Sequence, residues 1–113
     1  MKRKILLIDD DKELSEELAD FLTAEGYQVQ AAFDGLEGER LLQKNLYDVI
    51  LLDIKMPVLS GSDLLKILQK INFKGRIILT SGKPFLDKEI KKSGFSSMIS
   101  GIVSKPYDVK KNF

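Results

Sequence analysis

The sequence has 113 residues, 43% hydrophobic and 31% charged, with 18 Lys and Arg against 17 Asp and Glu for a formal net charge of +1. This is the composition of a soluble globular chain of one domain, 1–113, and it excludes a net field strong enough to attract nucleic acid or an anionic membrane. Cysteine and histidine are both absent, which removes disulfides, thiolate nucleophiles, the commonest general base and the commonest transition-metal ligand; chemistry must rest on carboxylates, hydroxyls, lysine or a hard metal ion.

The basic start Met1-Lys2-Arg3-Lys4 leads into the apolar run Ile5 to Ile8. Asp9-Asp10-Asp11 ends that run too early for a signal peptide, and the expected location is cytoplasmic. The run predicts a strand buried on both faces, because parallel strands covered by helices lose the in/out alternation. Leu14, Leu18, Phe21 and Leu22 recur at helical spacing, and Gly26 supplies a stop. From Tyr27 to Ala32 the alternation predicts a half-exposed strand at a sheet edge. Asp34 can cap a second helix carrying Leu36, Leu41 and Leu42.

A second apolar run, Val49 to Leu52, delivers Asp53 to a strand end before Met56-Pro57 breaks regular structure. A third helix follows near Gly61, with Leu64, Ile67, Leu68 and Ile71 on one face. Gly75 turns the chain into a short strand, Ile77 to Leu79, that ends in Thr80, Ser81 and Gly82. Pro84 to Ser93 can hold a short helix, Gly101 to Ser104 reads as the last strand, and Asp108 to Phe113 leaves about one and a half turns of helix. The order βαβαβαβαβ with short links implies an α/β fold: a doubly wound, five-stranded parallel sheet with helices on both faces.

Asp9, Asp10, Asp53, Thr80 and Lys105 all fall at or just beyond strand carboxyl ends, the rim at which such sheets bind ligands. Two carboxylates about 5 Å apart repel by roughly 3 kcal/mol at an effective dielectric of about 20, so three together need a cation or must take up protons. Lys105 offers one charge, and Mg²⁺ held by oxygen ligands would offer the rest. With Asp53 as an oxygen nucleophile, the ion, Lys105 and the Thr80 hydroxyl could hold and neutralise a phosphoryl group. Singly, each of these residues has an ordinary structural reading, an acidic triplet after a strand being a common helix start. Their joint occurrence points to chemistry.

Ile-Asp-Asp at 8 to 10, Leu-Leu-Asp-Ile-Lys-Met-Pro-Val-Leu-Ser-Gly at 51 to 61, Leu-Thr-Ser at 79 to 81 and Lys-Pro-Tyr at 105 to 107 resemble the receiver domain of bacterial two-component response regulators. The resemblance covers nearly the whole chain and implies a flavodoxin-like sheet in the order 2-1-3-4-5. It further implies that Asp53 accepts a phosphoryl group from a histidine kinase or phosphotransfer protein. Asp10 would bind Mg²⁺ directly, Asp9 through water, and the backbone carbonyl of Lys55 would complete the protein's share. Thr80 and Lys105 would meet the phosphoryl oxygens, the bond before Pro106 would be cis, and Lys55 and Gly82 would flank the path of hydrolytic water. Such a domain catalyses only its own phosphorylation and dephosphorylation and is otherwise no enzyme. A homodimer through the face near the fourth helix and last strand is a further implication.

The chain departs from the family pattern in three places. Ile102 stands where the family usually has an aromatic switch residue, the link from Gly94 to Lys105 is longer by about four residues, and the last helix is truncated. These favour, as an alternative, a receiver-like interaction module that no longer switches by phosphorylation. A third reading, a phosphatase of the haloacid dehalogenase type, rests on the Asp-x-Asp within 9 to 11 but meets Glu13 where threonine or valine is usual.

Overall fold

The computed structural model describes residues 3–53, 61–81 and 99–104. In chain order these form β1 (Lys4–Ile8), α1 (Lys12–Ala24), β2 (Gln28–Ala32), α2 (Gly35–Lys44), β3 (Val49–Asp53), α3 (Gly61–Lys70), β4 (Arg76–Ser81) and β5 (Gly101–Ser104). The strands make one parallel sheet in the order β2-β1-β3-β4-β5. This is the strand order that the resemblance implies. The expected helix over Pro84 to Ser93, the cis bond before Pro106 and the short last helix lie outside the described residues.

The apolar runs are explained by cover on both sides. Alternate residues of the central strands, Leu6, Ile8, Ile50, Leu52, Ile77 and Leu79, pack with Leu41 of α2 and with Leu64, Leu65 and Leu68 of α3. Their neighbours Ile5, Leu7 and Leu51 pack with Leu18 and Leu22 of α1. Each fully buried Leu or Ile contributes about 1.5–3 kcal/mol relative to exposure. Two or three such side chains therefore outweigh the repulsion of a close carboxylate pair, and the core contains a dozen large residues below 2% exposure.

The helix ends are fixed by local polar chemistry. Asp11 caps α1, its Oδ1 accepting from the Leu14 backbone N at 3.1 Å, and Asp34 caps α2, accepting from the Glu37 N at 2.7 Å. After α1, Gly26 adopts φ +101°, and the next amide, Tyr27 N, bonds back to the Leu22 carbonyl at 3.1 Å. Asn72 takes the same left-handed role after α3 with φ +56°, while Phe73 N donates to the Leu68 carbonyl at 3.0 Å.

Two apolar assignments differ from the periodicity. Leu36, one of the apolar residues that mark α2, is 55% exposed, and Ile71, expected on the apolar face of α3, is 53% exposed beyond its end; Leu65 is buried in its place. In α2 the inner face is lined by Gly35, Gly38 and Leu41. The small residues bring the helix close to the sheet and turn Leu36 outward. For α3, ending at Lys70 leaves Ile71 in the turn, so the buried stripe is 64, 65 and 68.

The fold yields a pair of expected stability changes of opposite sign. Ser15 is buried in α1 with a hydroxyl that finds no hydrogen-bond partner among the described residues, so Ser15→Ala should stabilise the chain by about 1 kcal/mol. A Cβ at Gly75 would lie 2.5 Å from the Asp48 carbonyl oxygen, a backbone atom that itself accepts from Arg76 N at 2.9 Å. Gly75→Ala should therefore cost about 2 kcal/mol. Urea denaturation of both variants against wild type checks the two values.

Candidate functional site

Strand parity places the site. On the α1 side of the sheet the inward residues run Ile5, Leu7 in β1 and Leu51 in β3, with Ile78 of β4 packed beside them. Counting on by two reaches Asp9, Asp53 and Thr80. Register agrees, since Ile8 pairs with Leu52 and Asp53 with Thr80. The three polar side chains thus end the same face of three adjacent strands. All are buried, at 1%, 5% and 2% exposure.

Asp10 follows Asp9 and is exposed. Carboxylate oxygens of Asp9, Asp10 and Asp53 lie within 4.8 Å of one another. Asp9 is anchored from two sides: its backbone N donates to the Ala32 carbonyl at 3.1 Å, and its Oδ1 accepts from Asp11 N at 2.9 Å. Asp11, the third acid of the triplet, turns away to cap α1. The positive end of the α1 dipole accordingly adjoins the acidic group and lowers the cost of gathering it. Beside the rim, Lys12 Nζ sits 5.5 Å from the centroid of the Phe33 ring, a cation–π contact that the sequence pattern did not reveal because its partners lie on different elements.

The donor set fits a hard divalent cation. At a bond length of about 2.1 Å, adjacent ligands of an octahedral ion are about 3 Å apart and opposite ones about 4 Å, so small side-chain rotations or one bridging water would bring these oxygens into range. Of the residues expected at the site, Asp9, Asp10, Asp53 and Thr80 are brought together at one rim. Lys55, Gly82 and Lys105 lie outside the described residues. Ile102 lies in β5 with its backbone paired to Leu79.

Residues 5–112 match the family described as the response regulator receiver domain. The chain belongs to that family. The receiver is 38% identical over 104 residues to the uncharacterized transcriptional regulatory protein YcbL of Bacillus subtilis strain 168, covering 92% of this chain and 45% of that protein. Against the regulatory protein VanRc of Enterococcus gallinarum it is 32% identical over 108 residues, covering 96% and 46%. Among solved structures, the receiver domain of the Francisella response regulator 1452 aligns with a TM-score of 0.86 and 34% identity, over 97% of this chain and 89% of that one. The chain thus spans about half the length of the curated relatives it matches. Among the described residues, no helix is long and apolar enough to cross a membrane.

The crowding of acids has a measurable consequence. Removing the exposed member, Asp10→Asn, should raise the melting temperature by about 2–4 °C in a chelating buffer, because it relieves repulsion without emptying the core. Added Mg²⁺ should raise the melting temperature of the wild type more than that of the variant. Thermal melts with and without the ion provide the comparison.

Proposed function

We propose that this receiver takes a phosphoryl group onto Asp53 from the phosphohistidine of a histidine kinase or phosphotransfer protein and acts as a signalling switch. The observation that carries the reading is the buried Asp53 carboxylate at the end of β3, beside Asp9 and Asp10 and in register with Thr80. An Asp53 oxygen forms the new P–O bond while the donor's P–N bond breaks, its electron pair passing to the imidazole nitrogen. Asp9, Asp10 and Asp53, with the backbone carbonyl of Lys55, would hold Mg²⁺, which when bound supplies positive charge against the carboxylates and the phosphoryl oxygens. The Thr80 hydroxyl donates to one phosphoryl oxygen, and the Lys105 ammonium pairs with another. Burial of Asp53 keeps bulk water from competing as the nucleophile.

Self-modification is the chemistry, and no separate substrate is turned over. Output passes either by protein contact alone or through a further part of a longer chain, without direct nucleic-acid contact by these residues. Intact-mass spectrometry after incubation with a small-molecule phosphodonor tests the reading. A gain of one phosphoryl group is expected for wild type with Mg²⁺, and none for Asp53→Asn or for wild type in chelator. No gain in wild type, under conditions that modify another receiver, would leave the chain an interaction module that no longer switches.

A further inference from the structure

The rim opposite Asp53 carries a second concavity. It measures about 650 Å³ and opens between the turn from α2 to β3 and the turn from α3 to β4, within the size range of small-molecule sites. Tyr47, Phe73 and Leu42 supply apolar wall, and Arg3, Lys74 and Arg76 bring positive charge to the same lining. Leu46 and Ile71, 91% and 53% exposed, also belong to that lining. Exposed apolar groups beside gathered cations are a combination that solvent alone does not favour.

The concavity is held open by its own backbone. Asp48 N donates to the Lys4 carbonyl at 2.8 Å, and Arg76 N donates to the Asp48 carbonyl at 2.9 Å. Asp48, the single acid among the described lining residues, is engaged as well, its Oδ2 accepting from Lys4 N at 2.8 Å. Tyr47 is tied by its hydroxyl to Gln30 Oε1, with Lys4 Nζ 5.8 Å from its ring centroid. Burial raises the Tyr47 phenol above its ordinary range, opposed in part by Asn45, so the wall stays neutral at physiological pH. The three cations therefore set the sign of the site.

We infer that this concavity binds a small amphipathic anion, an aromatic or branched apolar body bearing a sulfonate, carboxylate or phosphate group. The apolar body fits against Tyr47, Phe73 and Leu42, and the anion faces Arg3, Lys74 and Arg76. Four strand steps, about 13 Å, separate this end of β3 from Asp53, so occupancy of one rim does not block the other.

The probe is 8-anilinonaphthalene-1-sulfonate, with neutral N-phenyl-1-naphthylamine and inorganic phosphate as the two halves of its chemistry. Fluorescence titration should give saturable one-to-one binding of the sulfonate. Amide shifts should be confined to residues 3, 42, 45–48 and 71–76, and each half alone should bind at least tenfold more weakly. Lys74→Glu combined with Arg76→Glu, both exposed positions, should weaken the sulfonate about tenfold at an unchanged melting temperature. Asp53→Asn should leave its affinity unchanged, which separates this site from the phosphoryl chemistry. Equal binding of the neutral analogue, no effect of the double variant, or shifts outside these residues would overturn the inference. So would failure of the sulfonate where the peptide Glu-Leu-Glu-Leu-Glu binds the same residues, since the face would then dock a protein segment.

Discussion

Repulsion among carboxylates is the constraint around which this fold is arranged. Asp9 and Asp53 are buried together beside Asp10, an arrangement that costs several kcal/mol unless charge or hydrogen bonds answer it. The chain answers with a core that owes nothing to the site. Strands covered on both faces supply hydrophobic stabilisation in large excess of one repulsive cluster, and the strand ends can hold groups that would not assemble in a flexible chain. The Asp11 amide and the N-terminal end of α1 then compensate part of the charge locally.

The central strands were legible because burial on both faces erases alternation, leaving Ile5 to Ile8 and Val49 to Leu52 as uninterrupted apolar runs. The ends at Asp34 and Gly26 were legible too, since each acts through its own backbone or that of residues a few positions away, whereas the acidic triplet marked the start of α1 without choosing Asp11 over Asp10 as its cap. The exchange of Ile71 for Leu65 was not. A periodic stripe gives the helix face but not the turn at which the helix stops, and that stop is set by Asn72 in the left-handed region and its neighbours. The outward Leu36 was hidden for a related reason: the inner face of α2 is built partly from glycines, which carry no hydrophobic signal.

At the acidic rim the motifs were readable because each member falls at or just beyond a strand end, so topology converts dispersed positions into neighbours. Asp9, Asp10, Asp53 and Thr80 meet as that logic requires. The opposite rim offered no such cue. Its lining comes from the chain's start and two turns, and the properties that matter there, such as a tied Tyr47 and an exposed Leu46, depend on packing and not on spacing. A motif search finds groups arranged by strand ends far more readily than cavities left between turns.

Asp11 has one more consequence, which follows from its two hydrogen bonds. Its amide donates to Asp9 Oδ1 while its own carboxylate accepts from the Leu14 amide, so the acidic rim and the first turn of α1 share a component. These two bonds act in series. A rotation of the Asp9 carboxylate would therefore be felt at the entry to α1 as well as at the end of β1, with Asp11 as the hinge pin between them.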